Sequence, residues 1–318
     1  MRSSQRTIRN FAQLQSIGDN PIWNHLPQLK EQRMNPDQAP RARKLRTTTL
    51  FVALLTTILA ASTHAQLDGT PPPPFNGIAH VAIRVHDLAA STAFYEKLGF
   101  EQSFDLKKDG VSYESFIKIN DQQFIELYPA TAKNPDIGFL HLCFEGADLN
   151  AIYDDYTSRG LTPTSVRKAG AGNLLFTMAG PVQPFGPQNI EYTQYMPGSL
   201  HSNDQGKHLG SDRVATKLIA VALAMKDPAS ARDFYINQLH FKPIAGDQMD
   251  MHLPGDSGEE IEIVPAAALG SKARLTFESE NLSKAARSLH KEGVNAVKNG
   301  PSLTLTDPDG NILLLEHR

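Results

Sequence analysis

The chain has 318 residues, 40% of them hydrophobic, and a formal net charge of −3 without a dense basic patch, so nucleic acid is not an expected partner. A single cysteine, Cys143, excludes an intrachain disulfide, and the fold must stand on its apolar core. Cys143 lies in an apolar run and reads as a buried packing residue.

Residues 1–65 read as an extension separate from the fold. Arg41, Arg43, Lys44 and Arg46 precede an apolar run over about residues 48–62, and Thr63, His64 and Ala65 close it. A basic flank, a short apolar stretch and a small-x-Ala ending mark a secretory signal peptide. The run is short for a bilayer span, which takes about 20 apolar residues, so an uncleaved anchor is the second reading. Met34 would give this leader a more ordinary length. The expected location is periplasmic or secreted, with no other membrane association. Residues 66–75 form a spacer whose proline-rich part, Gly69 to Pro74, cannot join a helix or an interior strand.

Hydrophobic periodicity divides the remainder into four similar units, each a strand, a helix and three strands. The first opens with a strand over 77–85 centred on His80, followed by a helix over 87–98 and strands near 101–106, 113–119 and 123–128. The second has a strand over 138–144, a helix over 149–158 stopped at Gly160, and strands near 164–167, 174–179 and 189–195. A polar segment, 197–213, reads as a linker, with His201 and His208 read first as solvated loop histidines and second as ligands reaching the site. The third unit spans about 217–265 and the fourth about 273–316, with a helix over 282–291. The first-strand pattern around His80 returns at 217–223 with Ala220 in the histidine's place. Phe94 and Tyr95, like Phe234 and Tyr235, are expected to pack their helices onto the sheets. Asp307, Pro308, Asp309, Gly310 and Asn311 read as a tight turn and lack the further acids of a calcium loop.

Ile78-Ala79-His80-Val81-Ala82-Ile83, Phe94-Tyr95, Leu98-Gly99-Phe100, Phe124-Ile125-Glu126-Leu127-Tyr128 and Asp307-Pro308-Asp309-Gly310-Asn311 carry a resemblance. With these motifs the chain resembles the vicinal oxygen chelate superfamily, which includes glyoxalase I, bleomycin-resistance proteins and extradiol dioxygenases. The resemblance covers nearly everything after the spacer. It implies an α+β fold of four βαβββ modules paired into two half-barrel domains, 76–196 and 214–318.

Four residues stand out at matching places: His80 and His141 in the first strands of units one and two, Glu126 and Glu191 in their last strands. A glutamate inside Phe-Ile-Glu-Leu-Tyr needs a cation, a metal or solvent, because desolvating an unpaired carboxylate is costly. Two imidazoles and two carboxylates make a mixed site suited to one divalent Zn, Ni, Fe, Mn or Co ion. By the resemblance, His80, Glu126, His141 and Glu191 match the family's four metal positions. Gln183 to Asn189 replace the usual Asp-Pro-x-Gly-Asn turn before Glu191, so Asn189 or Thr193 could face the cavity in its stead. In the second half Ala220 and Arg274 replace the histidines and Leu314 the last glutamate. Glu262 still matches Glu126 and could pair with Arg274. That half reads as a structural partner.

The resemblance implies a metal that binds two neighbouring oxygens of a small-molecule substrate as a Lewis acid. In a glyoxalase-like isomerase or lyase, Glu126 or Glu191 would be the catalytic carboxylate that moves the proton. An Fe(II) extradiol dioxygenase using His80, His141 and Glu191 is the alternative, although there the complete site usually lies in the carboxyl-terminal half. A non-enzymatic binding or resistance protein is the third reading. Four units in one chain need no partner's module, which suits a monomer and leaves a dimer open.

Overall fold

Each module opens with a strand that runs into an Asp or Asn, and that residue starts the following helix. Asp87 accepts from the backbone N–H of Ala89 and Ala90, Asp148 from Ala151, Asp227 from Ser230 and Asn281 from Lys284. Each side chain satisfies donors that a helix start leaves orphaned, a contribution of about 1 kcal/mol apiece. The computed structural model describes residues 73–317. The leader, its apolar run and the spacer as far as Pro72 lie outside the described residues. No described helix is long and apolar enough to cross a membrane.

In chain order the first half contains β1 (Phe75–Val85), α1 (Leu88–Lys97), β2 (Gln102–Lys108), β3 (Val111–Lys118), β4 (Phe124–Pro129), β5 (Gly138–Gly146), α2 (Leu149–Ser158), β6 (Arg167–Lys168), β7 (Leu174–Gln183) and β8 (Gly186–Gln194). A short helix, α3 (Leu200–Asn203), sits in the connecting segment. The second half contains β9 (Lys217–Met225), α4 (Pro228–Leu239), β10 (Lys242–Ile244), β11 (Asp247–His252), β12 (Glu260–Pro265), α5 (Ala266–Leu269), β13 (Arg274–Glu278), α6 (Leu282–Lys291), β14 (Val297–Asn299), β15 (Ser302–Thr306) and β16 (Ile312–Glu316). The result is the α+β arrangement of paired βαβββ modules.

Each half forms one eight-stranded sheet, in the orders β2-β3-β4-β1-β5-β8-β7-β6 and β10-β11-β12-β9-β13-β16-β15-β14. At the centre of the first sheet β1 and β5 pair antiparallel, and each has a parallel partner outside it, β4 and β8. β9 and β13, flanked by β12 and β16, repeat the pattern. First strands and last strands of each module are therefore neighbours, which places the residues singled out above side by side.

Strand alternation separates two faces of the first sheet. Val81, Ile83, Ile125, Leu127, Leu142, Phe144, Ile190 and Tyr192 belong to a continuous buried core. The two halves share this core. Phe100 meets Phe277 at 5.5 Å and Phe75 meets Phe241 at 6.1 Å between ring centres. Burying each such ring stabilises the fold by roughly 2 kcal/mol. Tyr95 of α1 donates to Asp307 Oδ2 (3.2 Å) and Tyr235 of α4 to Gln188 Oε1 (2.8 Å), so each helix tyrosine ties its module to the other half.

Several local differences from the sequence reading have physical causes. The strand expected near 164–167 is reduced to Arg167–Lys168, while Thr164 bonds Thr177 outside any strand. β8 begins at Gly186 because β7 and β8 close a tight hairpin through Pro184 and Phe185, with a register shift between Ala179 and Val182. That bulge absorbs the one-residue departure before Glu191. The Leu-Gly-Phe closure needs its glycine: Gly99 has φ +81°, and a Cβ there would lie 2.7 Å from Arg213 Cα. In the second half His240 occupies the matching left-handed position at φ 62°. The sequence from Asp307 to Asn311 is a tight turn, with Asp307 Oδ1 accepting from the N–H groups of Asp309 (3.0 Å) and Asn311 (2.8 Å).

Candidate metal centre

The opposite face of the first sheet is polar. In register, His80 pairs with Phe124 and Cys143, Ala82 with Glu126 and His141, and Cys143 with Glu191. Paired residues share a face, so two imidazoles, two carboxylates and a thiol all point to one side of four adjacent strands. Ala82 is what lets them meet, because its methyl group leaves open the space between Glu126 and His141.

The four side chains converge. His80 Nε2 lies 3.1 Å from His141 Nε2 and 3.3 Å from Glu191 Oε1. His141 Nε2 lies 3.8 Å from Glu126 Oε2 and 4.0 Å from Glu191 Oε2. His80 Nδ1 is 3.2 Å from Glu126 Oε1 but is not angled to hydrogen-bond it, and remains a buried nitrogen with no partner among the described residues. Ligands about 2.1 Å from one ion stand about 3.0–4.2 Å from one another, and the observed separations fall in that range. Tyr128 donates to Glu126 Oε2 (3.1 Å) and steadies that carboxylate.

The electrostatics favour a cation. Burial, then the neighbouring Glu114 and Glu191, push Glu126 well above the usual carboxylate range. Burial likewise raises Glu114 to about 7. Burial works against the Glu191 carboxylate too, yet His141 and then His80 beside it bring it below its ordinary value. Desolvation lowers His141 to about 4, leaving a neutral ring able to act as a ligand. Three carboxylates crowd the site, while Lys118 is committed to Asp204 and Asp121. The residues present fit one divalent ion of borderline character: His80, Glu126, His141 and Glu191 would hold it, with Cys143 as a further donor near His80 and Glu191.

Glu191 is the β8 residue in contact with the histidines. Asn189 and Thr193 share its face, but Thr193 Oγ1 donates to Leu174 O at 3.0 Å. Cys143 is fully buried, as expected of a packing residue. It is buried on the cavity side, and burial followed by the charge of Glu191 raises its thiol pKa well above the ordinary value.

Two residues escaped the sequence reading. Glu114, on β3, shares a face with Phe116, which pairs with Glu126 in register. Alternation with Phe116 and Lys118 was the available signal. His201 is no solvated loop residue: it is 5% exposed, stacked on Tyr195 at 4.8 Å and set edge to face against Phe104, Phe116 and Phe124. His208 does reach solvent, and it pairs with Asp204 at 2.5 Å.

In the second half, Ala220 and Ala222 occupy the central strand and Arg274 forms an ion pair with Glu262. Asp250, opposite Glu262, is pushed to about 6 by burial and then by Glu262. Where the first half gathers imidazoles, this one neutralises a carboxylate with its own guanidinium.

The fold is shared with several enzymes. The 2,3-dioxygenase LapB from Pseudomonas sp. KL28 aligns at 16% identity and a TM-score of 0.55 over 78% of this chain and 93% of its own. The Mn(II)-bound glyoxalase from Novosphingobium aromaticivorans aligns at 15% identity and 0.57, over 76% and 82%. A mutant homoprotocatechuate 2,3-dioxygenase from Brevibacterium fuscum aligns at 17% and 0.56, over 79% and 74%. A comparison with curated proteins found no match. Residues 77–190, which contain His80, Glu126 and His141, match the model of the Glyoxalase/Bleomycin resistance protein/Dioxygenase superfamily. The match covers most of the first half of the fold, and the paired βαβββ modules have the arrangement that the resemblance to the vicinal oxygen chelate superfamily implies.

Proposed function

We propose that this chain is an exported metal-dependent enzyme of the glyoxalase type, an isomerase or lyase acting on a small molecule through two neighbouring oxygens. The observation that carries the reading is Glu126. It completes a set of two imidazoles and two carboxylates, where a set of two histidines and Glu191 would leave it surplus. The metal, when bound, would act as a Lewis acid on the two substrate oxygens. The chain's own part is proton movement. Glu126, whose Oε2 accepts from the Tyr128 hydroxyl at 3.1 Å, would accept a proton from a carbon beside those oxygens and return it to the next. Glu191, closer to both histidines, is the better permanent ligand. The basic flank and apolar run ahead of Ala65 support export, and four modules in one chain suit a monomer.

The alternative, an Fe(II) extradiol dioxygenase, is favoured by one observation: the likeness to the 2,3-dioxygenase LapB spans 93% of that enzyme's chain. Metal-loaded protein tested in deuterated water against 2-oxo and 2-hydroxy compounds, and in an oxygen cell against catechols, separates the two. Deuterium incorporation without oxygen uptake supports the isomerase. Oxygen uptake with ring cleavage overturns it.

A further inference from the structure

The two halves meet at a pair of buried residues that hold equivalent places in them. Gln123 precedes β4 and Glu259 precedes β12, and they are only 2% and 4% exposed. Register shows the equivalence: β4 enters its sheet opposite His80, through Phe124, and β12 opposite Ala220, through Glu260. The two side chains bond each other, Gln123 Nε2 donating to Glu259 Oε1 at 3.0 Å.

Each also crosses to the first strand of the other half. Glu259 Oε2 accepts the backbone N–H of Ile78, and Gln123 Oε1 accepts that of Leu218 at 2.8 Å. Both N–H groups stand at the entry of a bulge. Ile78 pairs with Phe144 and His80 with Cys143, so β1 carries Ala79 as an extra residue against β5. Leu218 pairs with Phe277 and Ala220 with Thr276, so β9 carries Ile219 in the same way against β13. Unbroken alternation would put Ile78 and His80 on one side of the sheet. The bulge sends Ile78 into the core and His80 to the polar face.

The contact at β1 suits a carboxylate. Gly77 leaves room for it, since a Cβ there would lie 2.6 Å from Glu259 Oε2. Lys217, which takes Gly77's place in the second half, stands 3.3 Å from Oε1. A carboxylate accepts from Ile78, Gln123 and Lys217 at once, whereas an amide would turn a donor towards one of them.

We infer that Glu259 is a positioning residue for the metal centre: from the second half it caps the β1 bulge and thereby holds His80 on the face where the ion binds. This rests on the metal-centre reading above. Glu259 acts through the backbone of β1, and it gives the half without histidines a task in the site of the other.

Cobalt titrations followed by the visible bands test the inference on wild type, Glu259→Ala, Glu259→Gln and Tyr95→Phe, with the melting of each recorded so that folded protein is titrated. Tyr95→Phe is the control: it loses another tie between the halves, to Asp307, without touching a strand that carries a ligand. Glu259→Ala should bind cobalt about 10- to 100-fold more weakly, the usual loss when a group that supports a metal-binding histidine is removed, and its band intensities should change. Glu259→Gln keeps the volume and one acceptor oxygen, so it should fold and fall between the two. Tyr95→Phe should lose stability and bind as wild type does. Equal affinity in wild type and both Glu259 variants sinks the positioning role and leaves the metal centre standing. An equal loss in Tyr95→Phe sinks it too, because the effect would then be a general loosening of the halves. A wild type that takes up no cobalt removes the metal centre and the inference with it.

Discussion

Lys118 is the most consequential charge outside the metal centre. Its side chain is fully buried at the end of β3, with Nζ 2.9 Å from Asp204 Oδ2, 2.6 Å from Asp204 O and 2.8 Å from Asp121 Oδ1. Through Asp204 it fastens the connecting segment that carries His201. Lys118→Met keeps the aliphatic stem and removes the charge. Asp121 is 26% exposed and can turn to water, so its share of the loss is small. Asp204 is 6% exposed and keeps the His208 imidazole beside it, at 2.5 Å. Stranding a buried carboxylate costs about 3–5 kcal/mol, and the surviving His208 contact points to the lower end. At about 2–4 °C per kcal/mol for a chain of this size, the melting temperature should fall by roughly 6–12 °C. Calorimetry of Lys118→Met beside the double variant Lys118→Met/Asp204→Leu provides the assay. The double variant should recover most of the loss, because it leaves no unpaired charge. A single variant within about 1 kcal/mol of wild type, or a double variant no better than the single, would refute the reasoning.

The remaining predictions concern the site and its surroundings. Glu126→Gln should retain most bound metal through His80, His141 and Glu191 while slowing deuterium exchange into a substrate by about 10²-fold or more, read by NMR. His201 should make folding sensitive to acid. Its folded pKa is lowered to about 3 from about 6.5 in the unfolded chain, so its contribution is complete above about pH 6.5 and declines as pH falls towards 3. The slope from this one group is about 1.4 kcal/mol per pH unit at most, and urea titrations of His201→Phe over pH 4–7 should be flatter than wild type by that amount. Arg274→Met/Glu262→Leu removes a partly exposed pair in the second half, and should change stability by less than about 1 kcal/mol and metal content not at all. A loss of metal in that variant would assign that pair a role it does not have here.

Strand alternation made much of the centre legible. His80 with Ala82, and Glu126 with Phe124 and Tyr128, follow from period-two patterning once the strands are recognised, and the structure places them so. Helix starts were readable from Asp87 and Asn281, whose side chains compete locally for backbone donors. Glu114 was hidden because Ser112, Tyr113, Glu114 and Ser115 resemble a solvated edge strand. Only the closing of the sheet over its own face buries that carboxylate. His201 was hidden for a different reason. Its neighbours in sequence are polar, while the rings that enclose it come from β2, β3 and β4, about 80 to 100 residues upstream. Such a non-local cage has no local composition signal. The extra residue in β7 blurred the register before Glu191 for the same reason, since a bulge is fixed by the paired strand.

Metal content tests the central claim most directly. Protein purified without chelators, and a His80→Ala/His141→Ala double variant prepared alongside it, are assayed by elemental analysis after incubation with Mn, Fe, Co, Ni and Zn salts and desalting. The account predicts close to one equivalent of a divalent ion per chain in wild type and almost none in the double variant. No ion in wild type, or equal amounts in both proteins, would contradict it.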